Sequence, residues 1–289
     1  MLFRSLVAGE PQIAVRFLNN LGGCRFALHQ YQEALQTYLE ARKLAEASRN
    51  NVAAGELDFN ISSLYSHLGQ IDAATEAIGR ATARLSGPER LAQLPKLLTF
   101  LATLQADQGR MPQALDLYRR GIAAADRAGD QEMYALAWND LGYVYLEHEK
   151  LPQAEYALLE AYRVRKLNHL RSVESSYRNL GMLRLGQGDL RAASVLLDRA
   201  VALSKQPGGL RPNWEVYYAR GHVRLQQSRL QDALDDLRIA ARLARNWRRD
   251  AFPDDATRVS TENMIQKVHS ALVEAANRQI GRASCRERV

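Results

Sequence analysis

The chain has 289 residues, 46% of them hydrophobic and 25% charged, and carries a formal net charge of +7. No apolar run reaches the roughly 18 residues of a membrane-spanning helix, and two cysteines cannot build a disulfide framework. A membrane-spanning helical protein and a disulfide-stapled secreted domain are therefore excluded.

Residues 1–10 form an N-terminal segment. Met1–Gly9 is too short and too interrupted by charge for a secretory signal, and it reads as starting at an internal methionine of a longer frame. From 11 to 249 the sequence repeats. Six alanines, Ala34, Ala74, Ala114, Ala154, Ala193 and Ala233, are spaced by 40, 40, 40, 39 and 40 residues. Thirteen residues before each stands Leu21, Ile61, Leu101, Leu141, Leu180 or Arg220, always followed by a small residue: Gly22, Ser62, Ala102, Gly142, Gly181 and Gly221. Seven residues after each alanine comes another small one: Ala41, Ala81, Gly121, Ala161, Ala200 and Ala240. A fixed period of this size marks a solenoid. Apolar residues recur at helical spacing in each half of the unit, so each unit is read as a helix A, a turn and a helix B. Gly69-Gln70, Gly109-Arg110, Lys150-Leu151 and Gly188-Asp189 mark the A–B turns, and Pro112 and Pro152 suit the first turn of helix B. One hairpin cannot bury its own core, so the units are expected to stack into one array.

The fourth unit is the clearest. Trp138, Leu141, Gly142, Tyr145, Ala154, Leu158 and Ala161 fall on the pattern W-x2-L-G-x2-Y…A-x3-F, and on these residues the chain resembles the tetratricopeptide repeat family. The resemblance implies an all-α, right-handed α-solenoid of about six helix-turn-helix repeats of about 40 residues, plus a C-terminal helix. Gly142 and Ala154 are expected to face each other at the A–B crossing, with Leu141, Tyr145 and Leu158 filling the groove. The family's shorter usual unit implies longer outer ends on both helices here.

No catalytic constellation emerges. The six histidines have no ligand spacing, His148-Glu149 lacks the second histidine of a zinc-protease helix, and Gly186-Gln187-Gly188 follows a helix and not a strand. Neither metal nor cofactor is expected, and this chain is not read as an enzyme. Cys24, two residues after Gly22, reads as a buried small hydrophobe. Arg238, Arg242, Arg245 and Arg249 form one stripe on the last B helix. With Asp232, Asp235 and Asp236 ahead of it and only Trp247 nearby, the stripe reads as a solvated face and not a nucleic-acid site.

In tetratricopeptide arrays the A helices line an inner groove that takes extended peptides or partner helices, and the resemblance places the two residues before each Leu-Gly pair there. These are Asn19 and Asn20, Phe59 and Asn60, Thr99 and Phe100, Asn139 and Asp140, Arg178 and Asn179, Tyr218 and Ala219. Asn20, Asn60 and Asn179 share one register. An amide offers both a donor and an acceptor, so such a ladder suits the peptide groups of an extended ligand. Tyr143 and His222, with Ser63, His67, Glu147 and Met182, extend the same face. The expected site is Asn19, Asn20, Asn60, Asn139, Tyr143, Arg178, Asn179, Tyr218 and His222. The face lacks a paired set of Lys and Arg, which argues against a chaperone-tail ligand.

Residues 250–279 break the period. A helix is expected from Asp255 to near Gln279, with Val259, Ile265, Val268, Leu272 and Val273 as its apolar positions. This stretch, with the opening run Arg16–Cys24, is similar to the repeat region of bacterial proteins that end in a caspase-like CHAT peptidase domain. The resemblance implies a missing C-terminal domain in cis, with its catalytic His and Cys beyond Gln279. Residues 280–289 read as translated sequencing-adapter DNA, without which +7 falls to +5. The expected function is a cytoplasmic protein- or peptide-binding scaffold, the recognition half of such a peptidase. Alternatives are the sensory half of a transcription regulator or signalling kinase, or a plain spacer.

Overall fold

A 40-residue register becomes a stack of hairpins because each helix ends where the period demands a turn. The computed structural model describes residues 10–28, 30–85, 87–170, 173–205, 214–251 and 262–286, and among these it contains thirteen α-helices and no strand. The A helices are α1 (Pro11–Ala27), α3 (Asn51–His67), α5 (Gly87–Asp107), α7 (Gln131–Glu147), α9 (Val173–Gly186) and α11 (Trp214–Gln226). The B helices are α2 (Tyr31–Ala47), α4 (Ile71–Arg84), α6 (Met111–Ala128), α8 (Leu151–Leu167), α10 (Leu190–Ser204) and α12 (Leu230–Ala251), and α13 spans Glu262–Arg286. Five of the A–B turns place one residue in the left-handed region: Gly69 (φ 70°), Gly109 (73°), Glu149 (56°), Gly188 (80°) and Ser228 (61°). Glycine takes this conformation freely, whereas Glu149 and Ser228 bear a steric cost of roughly 1–2 kcal/mol. Asn50 and Asp189 cap the helices that follow them, each side chain accepting a backbone N–H at 3.0 Å.

The A–B crossing is closer than one glycine against one alanine. A Cβ on Gly142 would lie 2.7 Å from Leu158 Cγ and 3.2 Å from the Leu158 backbone nitrogen. The same relation holds sixteen residues on for Gly22 against Tyr38, Gly181 against Leu197 and Gly221 against Leu237. Gly142 thus faces Leu158 and not Ala154, which corrects the sequence expectation. Ala154 packs in a cluster with Leu158, Leu180 and Leu183, so its small size serves the contact with the next A helix. The A register three residues after the Leu position completes that layer: Leu64, Leu104, Val144, Leu183 and Val223 are all buried. Cys24 occupies this register in the first repeat and is exposed, not buried as expected, because no earlier repeat among the described residues covers it.

The chain divides into two units with their boundary between Met133 and Tyr134. In the first, α1–α2, α3–α4 and α5–α6 are hairpins, joined by contacts of α2 with α3 and of α4 with α5. Buried Asp58 of α3 ties neighbouring B helices together through Arg42 (3.1 Å) on α2 and Arg80 (3.2 Å) and Arg84 (2.8 Å) on α4. In the second unit α8 packs on α9 and α10 on α11. Here α13 takes the place of a further A helix, with Ala271 and Ala275 buried against Leu230, Ala233, Leu234 and Leu237. Val268 is buried as expected, whereas Val273 faces outward. The helix runs on from Ile280 to Arg286. Met1–Gly9, Asp255, Val259 and residues 287–289, with the side chains of Arg249 and Ile265, lie outside the described residues. Arg238, Arg242 and Arg245 are exposed, as a solvated stripe requires.

Arg220 stands where the other repeats carry Leu or Ile. Its guanidinium meets Asp236 in a two-point contact (2.8 and 2.7 Å), and Asp198 accepts a third bond at 3.0 Å. Arg224 also reaches Asp236 (2.8 Å) and Asp198 (3.3 Å). Asp236 sits three residues after Ala233, a register that holds Thr37, Ala77, Leu117, Ala157 and Leu196 elsewhere. The two departures from the repeat are one compensated pair.

Two predictions follow from this packing. Gly142→Ala should destabilise by about 1–3 kcal/mol through overpacking, although alanine is the better helix former. Gly79→Ala, on the exposed face of α4 with nothing within 4 Å of the added Cβ, should stabilise by about 0.5–1 kcal/mol in the same urea titration. Equal effects would refute the close crossing. Asp236→Ala should cost about 1–3 kcal/mol, because it leaves the partly buried Arg220 and Arg224 with Asp198 as their one shared carboxylate. Arg220→Leu should cost less, because Arg224 still neutralises Asp236. Arg220→Leu combined with Asp236→Leu should recover most of the loss, measured by thermal and urea melts.

Candidate functional site

In the first unit the expected asparagines meet across repeats. Asn60 Nδ2 of α3 donates to Asn19 Oδ1 of α1 at 2.8 Å. One bond between two amides leaves one NH2 and one carbonyl oxygen unused, whichever way each amide is turned. Both residues line a cavity of about 150 Å³, with Glu56, Phe59, Gln93 and Lys96 among its other walls. Lys96 of α5 places its Nζ 3.8 Å from the centre of the Phe59 ring, and Phe59 packs at 5.3 Å on Phe100. Burial lowers the pKa of Lys96, against the opposing charge of Glu56. Asn20, one residue on, is exposed. His67 lies outside this group: its Nε2 is 2.8 Å from the Tyr31 hydroxyl.

In the second unit the same registers are spent internally. Asn179 is fully buried and donates from Nδ2 to Asn139 Oδ1 at 3.1 Å, and that oxygen also accepts from Arg165 at 3.0 Å. Asn139 Nδ2 donates to Asp140 (3.3 Å), and Asn179 Oδ1 accepts from Arg178 Nε (3.1 Å). Arg165, from helix B, is itself buried and also donates to Ser175 (2.9 Å) and Ser176 (2.7 Å). No amide function of Asn139–Asn179 faces outward unpaired, unlike Asn19–Asn60. Arg178 continues to Glu215 of α11 at 2.8 Å. Along α11, Trp214, Tyr218 and His222 form an aromatic row with ring centres 6.2 and 6.1 Å apart.

This cluster is electrostatically tense. Burial pushes Asp140 up to about 6, despite the bond from Asn139 and the charges of Arg165 and Arg178. Burial also raises Glu174, and it raises the Tyr143 hydroxyl, with Glu215 and Glu147 adding to the effect. Sequence reasoning missed Arg165 and Lys96, although both leave a trace. Arg165 stands eleven residues after Ala154, a register that holds Ala45, Leu85, Ala125, Ser204 and Ala244 in other repeats. Lys96 stands five before Leu101, in register with Arg16, Glu56, Leu136, Ser175 and Glu215.

A testable pH dependence follows. Between about pH 4 and 6 the folded chain keeps a proton on Asp140 that the unfolded chain has released, so stability falls as pH rises through that window. Above it the deficit is constant at about 1–3 kcal/mol, taking about 1.4 kcal/mol per unit and allowing for partial solvation. Asp140→Asn should therefore raise stability at pH 7 by this amount and flatten the pH 4–6 slope in chemical denaturation. An unchanged slope would show that Asp140 titrates normally.

Similarity to known proteins agrees with this geometry. The Rap conjugation gene regulator of plasmid pLS20, in complex with the Phr* peptide, superposes with a TM-score of 0.69 at 14% identity, over 94% of this chain and 77% of that one. Aspartyl phosphate phosphatase F from Bacillus subtilis gives 0.65 at 14% identity, over 91% and 69%. BtubC from P. vanneervenii gives 0.56 at 23% identity, over 75% and 90%. At these identities the likeness shows the fold alone. No curated protein sequence matches. Tetratricopeptide repeat models match residues 93–166 and 178–256, together more than half of the chain. The close A–B crossing, the recurring left-handed turn and these matches lead to one conclusion: the chain belongs to the tetratricopeptide repeat family.

Proposed function

We propose that this chain is a peptide-binding scaffold whose primary contact is the Asn19–Asn60 pair. The carrying observation is the unused donor and acceptor that this pair presents at a cavity. An extended peptide offers its N–H and C=O as the complement, and main-chain bonds of this kind hold a strand without reading its side chains. Asn20 adds a side-chain contact beside the pair, and in the second unit Tyr143, Arg178, Tyr218 and His222 are the corresponding ligand-facing residues of their own repeats. Asn139 and Asn179 serve by fixing Arg178 and Asp140. The reading places the scaffold in the cytoplasm, as the recognition half of a bacterial protein whose C-terminal CHAT domain is a cysteine peptidase. The structural likeness to a Rap regulator holding a peptide supports the other reading, the sensory half of a regulator or kinase. The full reading frame distinguishes the two.

Random dodecapeptides displayed on phage are the probe. Peptides selected on the wild-type chain should lose about tenfold in affinity for Asn19→Ala with Asn60→Ala, the loss expected of two hydrogen bonds. Asn20→Ala should have a smaller effect. Asn179→Ala should lower the melting temperature, because it leaves Asn139 and Arg178 short of partners. If no peptide is enriched, or the double variant binds as well as wild type, the proposal is wrong.

A further inference from the structure

We infer that the Asn19–Asn60 cavity recognises an acidic side chain at an internal position of the bound peptide, seated on Lys96; this rests on the peptide-binding reading above. The inference starts from a missing counter-charge. Lys96 is half-buried, yet no carboxylate lies within ion-pair distance of its Nζ and no hydrogen-bond acceptor engages it among the described residues. The face of the Phe59 ring lies 3.8 Å from it. A ring face attracts a cation but accepts none of its three N–H bonds in full, so the ammonium remains under-solvated. Burial has already lowered its affinity for a proton, and Glu56, though on the cavity wall, offsets this only in part. A group that is costly to bury alone is stabilised by an arriving anion.

The size and setting select the anion. The cavity holds about 150 Å³, enough for a short side chain but not a large ring system. The amide pair that would hold a peptide group opens onto the same cavity, so the side chain beside that group would meet Lys96. The cation is also single. Its register in the neighbouring repeats holds Glu56 and Leu136. One ammonium matches one carboxylate of Asp or Glu within a chain, with the flanking peptide groups left to the amides. The Phe59–Phe100 pair supplies an apolar wall on which the methylene of such a side chain can rest.

The test uses decapeptides derived from the phage selection, acetylated and amidated so that neither end carries a charge. Each is made in an acidic form and with Asp replaced by Asn or Glu by Gln. The acidic form should bind wild type at least about tenfold more tightly, as expected for a charge-assisted contact. In Lys96→Met the two forms should bind alike, and in Lys96→Arg the preference should return, with circular dichroism melts confirming that both variants fold. Equal binding of the two forms to wild type, or a preference that survives Lys96→Met, overturns the inference. A preference seen only when the C-terminal carboxylate is unblocked overturns the internal side chain. Should Asn19→Ala with Asn60→Ala weaken binding while Lys96→Met changes nothing, this inference fails and the peptide site stands.

Discussion

The contact that organises this protein is the approach of helix A to helix B at the small residue after each Leu. With no Cβ at Gly142, the Leu158 side chain settles directly on the α7 backbone, and the same happens at Gly22, Gly181 and Gly221. A close crossing brings the faces of both helices into one apolar layer. That layer is what the next repeat packs on, as Ala154 and Leu158 show with Leu180 and Leu183. Stability is thus shared between intra-hairpin contacts and nearest-neighbour interfaces, the energetic form expected of a repeat array. The A-helix residues just before the crossing join these contacts in some repeats, where Thr99, Asn139 and Asn179 are buried, and stay open in others, as Asn20 does. They can be polar and can differ from repeat to repeat.

Charged groups inside such an array are compensated by partners on other helices, across repeats or within a hairpin. Asp58 holds three arginines from two B helices, and Asp236 holds Arg220 and Arg224. Removing one member of such a set costs more than replacing the whole set with apolar residues, so these clusters fix register more than they add stability. The position of Arg220 illustrates this. A long cation in a leucine register would open the stack if Asp236 did not stand where other repeats carry apolar or small residues.

Much of the fold was legible in the sequence because it is periodic. The spacing of small residues gave the repeat, the glycines at 69, 109 and 188 gave the turns, and the period extends them to Glu149 and Ser228. Periodicity says which positions are small, but not which neighbour takes up the room. Gly142 was therefore paired with Ala154 when its partner is Leu158. It also treats all copies of a register alike, and this misplaced Cys24, whose burial would require an earlier repeat on its outer side. The site was less legible for the same reason. Asn60 and Asn179 are identical letters at identical registers, yet they face different surroundings.

What separates those two asparagines is their neighbours: Arg178 takes Asn179 Oδ1 and Asp140 takes Asn139 Nδ2, the two functions that the Asn19–Asn60 pair leaves unused. Arg165 enters from helix B of the fourth repeat, takes up Asn139 Oδ1 together with Asn179, and binds Ser175 and Ser176 beside them. A buried guanidinium needs acceptors, and Asn139 Oδ1 is one of them beside the Ser176 and Ser175 hydroxyls, which ties this pair into the scaffold. The first unit has Ala45, Leu85 and Ala125 in the Arg165 register. Its amides keep their outer valences. The pair's two outer amide functions are filled in the second unit by Arg178 and Asp140, whose registers hold Phe59 and Asn20 beside Asn60 and Asn19, so the difference is read only by comparing those registers repeat by repeat.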